Sequence, residues 1–368
     1  MSKFVKAFKQ WWTGKYPDAC PSVGGQAVME GVMMRGPKDI AISVRKPDGE
    51  IITEKKKAPS LTKKGILKLP IIRGCVNFIE SMILGYKTLM MSADKSGMTD
   101  LEEEEEKKRK AEKAAKKRAK LIAKGKIPAD EPIAQTTEEE PEKEEKSSTS
   151  PVIMAVMVIG VVLGVALALV LFMWLPTAIF NGLNTIFKGA IPNTFRPLIE
   201  GVLKISIFVG YVALTSLTKD IKRVFMYHGA EHKTIFCLEN ELELTVENVK
   251  KQSRFHPRCG TSFMILMLVV GILVNLLIVT FFPGITKLTA VWVLIKLLMV
   301  PLICGIGYEL IKICGKHDNV VTRIISAPGM WVQRLTTKEP EDDMIEVAIA
   351  SLKAVLPDDM KGVEIDGC

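Results

Sequence analysis

Residues 151–187 read PVIMAVMVIGVVLGVALALVLFMWLPTAIFNGLNTIF and contain no Asp, Glu, Lys or Arg. About 20 apolar residues in a helix cross a bilayer core of about 30 Å, because each adds only about 1.5 Å of rise. This stretch is therefore long and apolar enough to span. It follows directly on a run of opposite character, residues 101–150, which hold 14 acidic and 13 basic residues. Such segregation explains how a chain of 368 residues is 48% hydrophobic and 25% charged at once, a mixture that a single soluble domain rarely shows.

Working outward from the first span, 152–175, three more segments qualify: 198–217 with Glu200 and Lys204 inside it, the uncharged 263–282, and 288–311 with Lys296 and Glu309. Each ends at a plausible stop, respectively Pro176, the TKDIKR run, Pro283-Gly284, and Lys312 with Gly315. Short connections rich in Lys and Arg stay in the cytoplasm. Residues 218–262 carry eight of them, whereas the loops after spans one and three carry only Lys188, Arg196 and Lys287. The 218–262 segment is therefore expected inside, and with four spans both termini share its side. The net charge of +9 is scattered through loops, which suits an anionic leaflet and argues against nucleic acid as partner. Seven widely spaced cysteines, Cys20, Cys75, Cys237, Cys259, Cys304, Cys314 and Cys368, read as reduced thiols.

The expected fold class is thus a mainly α membrane protein of about four transmembrane helices. A small α+β cytoplasmic N-terminal unit occupies residues 1–97. It includes a β-hairpin, Asp39 to Lys46 and Glu50 to Lys56 around a Pro-Asp-Gly turn, and an amphipathic helix with Ile72, Cys75, Val76, Ile79, Ile83, Tyr86 and Met90 on one side. That helix is too charged to span and is placed at the interface or beneath the bundle. MSKFVKAFKQWW at the start is read as a surface-lying segment. Residues 98–150 form a charged low-complexity linker, 151–311 the membrane region, and 312–368 a cytoplasmic tail whose Met344 to Leu356 form a helix begun by Pro340 and acidic residues.

The sharpest motif is Tyr227-His228-Gly229-Ala230-Glu231-His232-Lys233. On a helix it sets His228 and His232 one turn apart on one side, with Glu231 beside them. Two imidazoles so placed bind one Zn²⁺, and the carboxylate can take a proton from water on the metal; the same His-x-x-Glu-His pattern occurs in inverted zincin metalloproteases. His256 and Cys259, in FHPRCGTS, add a third imidazole and a thiol just before span three. Four ligands would make a closed structural site. Three would leave Glu231 free as catalytic base, with one of His256, Cys259 or Glu30 as third ligand and Arg35 or Lys233 stabilising negative charge. The competing reading is that His256 and Cys259 merely shape a helix entry.

GGQAVMEGVMMRGP, residues 24–37, is either a ligand-contacting glycine loop or a compact turn whose methionines fill core space. Within the spans, Glu200 and Lys204 are expected to pair, and Asn275 to bond another helix. A metal-dependent hydrolase at the membrane surface is the leading functional reading. Its alternatives are a non-enzymatic scaffold with a structural clasp, and a transporter or channel that four spans could form only as a homo-oligomer. No small-molecule substrate is named by the sequence.

Together GGQAVMEGVMMRGP, FRPLIEG, HGAEHKTIFCLE, HPRCGTSF and APGMWVQRLTTKEP resemble the YqhQ-like family of bacterial membrane proteins, whose function is unknown and which carries the label of predicted metal-dependent enzyme. The resemblance covers most of the chain outside the charged linker. It implies a multi-pass bacterial inner-membrane protein and makes a metal at His228, Glu231, His232, His256 and Cys259 worth testing.

Overall fold

Short apolar runs, Val32-Met33-Met34 and Ile40 to Val44 among them, punctuate residues 24–57, and a strand sends successive side chains to opposite faces, so such runs suit strands buried on both. Four strands result, β1 (Gly24–Val28), β2 (Gly31–Arg35), β3 (Asp39–Arg45) and β4 (Ile51–Lys57), in one antiparallel sheet ordered β1-β2-β3-β4. The expected hairpin is its β3-β4 half. The glycine-rich motif is no loop: it forms β1 and β2, joined at Met29-Glu30, where Glu30 takes a left-handed φ of 50°.

The computed structural model describes residues 23–58, 69, 71–97, 151–316 and 319–356. The basic aromatic N-terminus and the charged linker, residues 98–150, lie outside the described residues. Two units can be distinguished, Met1–Ser96 with Leu169–Cys368, and Gly97–Ala168. The helices are α1 (Ile72–Lys95), α2 (Pro151–Leu169), α3 (Leu175–Ile186), α4 (Arg196–Thr215), α5 (Lys219–Glu239), α6 (Val246–Lys251), α7 (Gly260–Phe281), α8 (Thr289–Leu298), α9 (Val300–Lys316), α10 (Val320–Thr336) and α11 (Asp342–Val355).

Both faces of the sheet are covered. Val28, Met33, Ile40, Ile42 and Val44 pack with Leu84 and Met91 of α1. On the other face Val32, Met34 and Ala41 join a core built with Tyr227, Ala230, Ile235 and Leu238 of α5 and Met344, Ile345, Ala348 and Leu352 of α11. From Tyr227 to Glu239 every α5 residue except His228 is buried, so the polar motif HGAEHK runs through the centre of this head. Burying polar groups without partners is costly, and their partners therefore define the site.

Three helical stretches are long and apolar enough to cross a membrane, Ile159–Ile186, Asn193–Thr215 and Gly260–Phe281, and α8 with α9 qualify as a fourth bent by 41°. Two expectations change here. The first helix does not stop at Pro176: residues Val170–Trp174 wind as a π-helical turn, and Pro176 falls in the first turn of α3, where its missing N–H costs little. The fourth candidate is not straight, because Pro301 starts a new helix after the break at Met299.

The amphipathic helix α1 leaves much of its apolar side exposed, Ile79, Ile83 and Tyr86 included, and packs through its opposite side. Its first half runs along α9, where Arg73 holds Glu309 through two bonds of 2.6 Å and Asn77 donates to the Tyr308 hydroxyl at 2.7 Å. Glycine permits the approach: a Cβ at Gly74 would lie 2.9 Å from the Cα of Gly305. Its second half lies on the sheet, with the Ser92 hydroxyl accepting from the Met29 amide at 3.1 Å. Helix α10 was not foreseen, since Pro328 and Gly329 interrupt its pattern.

Within the spans Glu200 pairs not with Lys204 but with Arg196, one turn back on α4, and with Lys296 of α8, both at 3.0 Å. The Trp292 indole donates to the same carboxylate at 3.2 Å; the Thr177 hydroxyl donates to it at 3.0 Å and accepts from Lys296 at 2.6 Å. Asn275 bonds the Gly271 carbonyl of its own helix at 2.7 Å rather than a neighbour.

Candidate metal centre

Helix α5 places His228 and His232 on one side, with ring centroids 4.4 Å apart. Cys259 is the N-cap residue of α7, and its sulfur lies 3.2 Å from Nε2 of His228. One ligating atom from each of His228, His232 and Cys259 falls within 4.8 Å of the other two. Tetrahedral zinc, with bonds of 2.0–2.3 Å, keeps its ligand atoms about 3.5 Å apart, a spacing between the 3.2 Å of the His228–Cys259 pair and the 4.8 Å that bounds the trio.

The tautomers favour a cation. Nδ1 of His228 faces the Thr336 carbonyl at 2.8 Å, and Nδ1 of His232 faces the Arg254 carbonyl at 2.7 Å. A carbonyl only accepts, so each Nδ1 carries a proton and Nε2 is the atom each ring can offer to a metal. Metal-binding histidines are oriented in this way. Nε2 of His232 is buried and has no hydrogen-bond partner.

Electrostatics agree. Burial opposes charge on Cys259, yet the adjacent imidazoles of His228 and His232 outweigh it and hold the thiol well below its usual value. Burial likewise opposes charge on His228, and the neighbouring thiolate raises it to about 9. A proton thus bridges nitrogen and sulfur where a metal ion would replace it. Glu231 is pushed up by burial, against the pull of His232 and His228; its Oε2 is 3.8 Å from Nε2 of His228. Strand β1 covers it: a Cβ at Gly25 would stand 2.7 Å from the Glu231 Cγ.

The other expected site residues are placed elsewhere. Glu30 is clasped by Arg223 through two bonds of 2.6 Å and takes a longer one from Tyr227; its left-handed turn aims it at the start of α5. Arg35 lies 3.7 Å from Glu80 of α1. Lys233 donates to the Lys250 carbonyl at 3.0 Å and pairs with Glu339 at 2.9 Å. His256 is close, its ring 5.7 Å from that of His232, but its Nε2 is 3.2 Å from Glu239, and burial lowers it to about 4. His256 therefore stands beside the trio as a neutral ring.

Gln333 had no role in the sequence reading. Its buried amide accepts from the His256 N–H at 2.8 Å and donates to the His256 carbonyl at 2.6 Å and to Ser262 at 2.9 Å. This clamp fixes the segment that presents Cys259. The only sequence signal was its place in the APGMWVQRLTTKEP motif.

Fold and site define a class: helical proteins with three or four helical stretches apolar enough to cross a membrane and a mixed α/β head carrying a largely buried His-His-Cys cluster. The chain belongs to the family described as protein of unknown function (DUF1385), whose model matches residues 69–358. It is 34% identical over 340 residues, 91% of this chain and 92% of the relative, to the "Uncharacterized protein YqhQ" of Bacillus subtilis (strain 168). No solved structure matches.

Proposed function

We propose that this chain is a membrane-embedded metalloprotein that holds one zinc ion between His228, His232 and Cys259 and uses it for hydrolysis at a membrane surface. The observation that carries the metal is the buried, unpartnered Nε2 of His232, on a ring whose other nitrogen is committed to a carbonyl. Leaving such an acceptor unsatisfied costs about 1–3 kcal/mol, and a cation removes that cost. Three protein ligands leave one tetrahedral position for a non-protein group, the pattern of catalytic zinc sites. Zinc held there supplies Lewis-acid activation of water or a carbonyl. Glu231, beside the trio, holds or passes the proton at its carboxylate.

A second reading is favoured by how little of the cluster meets solvent, 12% of the His228 side chain and 1% of His232. In it the ion is a clasp joining α5 of the head to the start of α7. Metal analysis of purified protein is expected to give about one zinc per chain, with most of it lost in His232→Ala and Cys259→Ser; equal metal content in all three sinks both readings. Glu231→Gln separates them, since hydrolysis predicts loss of cellular function with metal retained, and a clasp predicts function intact.

Orientation is part of the proposal. Eight Lys and Arg between the second and third spans, against three in the loops on the other side, favour a cytoplasmic head. Exposed Leu163, Leu167, Leu214 and Leu277 would meet lipid. A green fluorescent protein fused to the C-terminus is then expected to fluoresce and an alkaline phosphatase fusion to be inactive. The opposite pair of results refutes this orientation.

A further inference from the structure

We propose that the cavity between the apolar helices is a binding site for an anionic amphiphile with one acyl chain. The site is separate from the metal centre and shares no residue with it, so either proposal can fail alone. Residues of α1, the π-helical turn, α4, α7, α8 and α9 line a half-open cavity of about 290 Å³, at the lower end of the roughly 300–1,000 Å³ usual for small-molecule sites. Phe172, Phe208, Met264 and Leu268 give it apolar walls suited to a hydrocarbon chain, and Glu200, Lys204, Asn275 and Lys296 supply its polar groups.

These polar groups are out of balance. Glu200 is the one carboxylate among them, and it already receives bonds from Arg196, Lys296, Thr177 and Trp292. Lys204 shares only the electrostatic pull of that carboxylate and has no hydrogen-bond partner among the described residues. Three basic side chains, Arg196, Lys204 and Lys296, thus share a single carboxylate in surroundings where charge is expensive. An anionic headgroup beside Lys204 corrects the excess. Asn275, 6% exposed, donates from Nδ2 to the Gly271 carbonyl, which fixes its amide and leaves Oδ1 buried without a partner. That oxygen fits a hydroxyl donor. A negatively charged head bearing a hydroxyl, on a single chain, satisfies walls, charge and acceptor together. The cavity lies among helices apolar enough to cross a membrane, so such a ligand would reach it from the lipid.

The test uses the full-length chain in phosphatidylcholine nanodiscs, with binding read by native mass spectrometry. The probes are palmitoyl-lysophosphatidylglycerol, its choline counterpart and inorganic phosphate. The glycerol lipid is expected to bind saturably, about tenfold more tightly than the choline lipid, and phosphate alone not at all. Losing one charge-assisted bond corresponds to a tenfold change or more, so Lys204→Met and Lys204→Gln should each weaken the glycerol lipid about tenfold or more. Lys204→Arg should retain it. Gly271→Ala adds a methyl at an ordinary 3.6 Å from Ile303, and should weaken the chain's fit without changing charge. Equal binding of the choline lipid, binding of phosphate alone as tightly as the lipid, or indifference of every folded Lys204 variant would overturn the proposal.

Discussion

Glu200→Gln is expected to destabilise the protein by about 3–5 kcal/mol, the cost of removing one partner of a buried ion pair. Arg196 and Lys296 are 3% and 2% exposed, and the substitution leaves both without the carboxylate that holds them. Lys296→Met is expected to cost less, about 1.5–3 kcal/mol for lost hydrogen bonds to a charged group, because Glu200 keeps Arg196 at 3.0 Å together with Thr177 and Trp292. The double variant should fall short of the summed losses, since it also removes one of the two stranded cations. Unfolding midpoints in detergent give the order. A Lys296→Met protein less stable than Glu200→Gln would show that the ammonium, not the carboxylate, organises the cluster.

That cluster marks where sequence reasoning reached its limit. Its residues were visible as costly charges in apolar segments, and the wrong pair was drawn because helical spacing favoured Glu200 with Lys204. Nothing in one span says that Lys296 of another lies against it; only the bend at Met299 and the packing of α8 bring it there. The long apolar helices themselves were readable because composition and length suffice for them. Their ends were not, since a proline can be absorbed by a π-helical turn, as at Pro176, or restart a helix, as at Pro301.

The site was half readable for a similar reason. His228, His232 and Cys259 announce themselves as side-chain types at suggestive spacing. The groups that orient them are the carbonyls of Thr336 and Arg254, and a carbonyl has no signature in a sequence. Glu30, Arg35 and Lys233 were plausible because each is charged and lies near a motif. Each instead fastens one element of the head to another, α5 to the β1-β2 turn, β2 to α1, and α5 to the segment before α11. Charged residues in a short, densely packed head are consumed by assembly before any remain for chemistry.

Gly229→Ala separates these roles. In an open helix the change should be neutral or stabilising, because glycine in a helix interior costs roughly 0.5–1 kcal/mol relative to alanine. Gly182, in α3 with nothing within 4 Å of an added methyl group, is the control, and Gly182→Ala should behave in that way. At Gly229 the methyl would meet the Lys338 carbonyl oxygen, which is backbone, tied to α5 by the Lys338 amide donating to the Phe225 carbonyl at 2.8 Å. Neither side can yield by rotating a side chain, so the segment must lift from α5 at a cost of about 1–3 kcal/mol or more. The Thr336 carbonyl that orients His228 lies two residues before Lys338 and would move with it. Gly229→Ala is therefore expected to lose metal as well as stability, although it removes no ligand. Thermal unfolding and metal content measured on the same preparations decide it: a stable Gly229→Ala protein with undiminished zinc would mean that the 336–340 segment does not position the histidines.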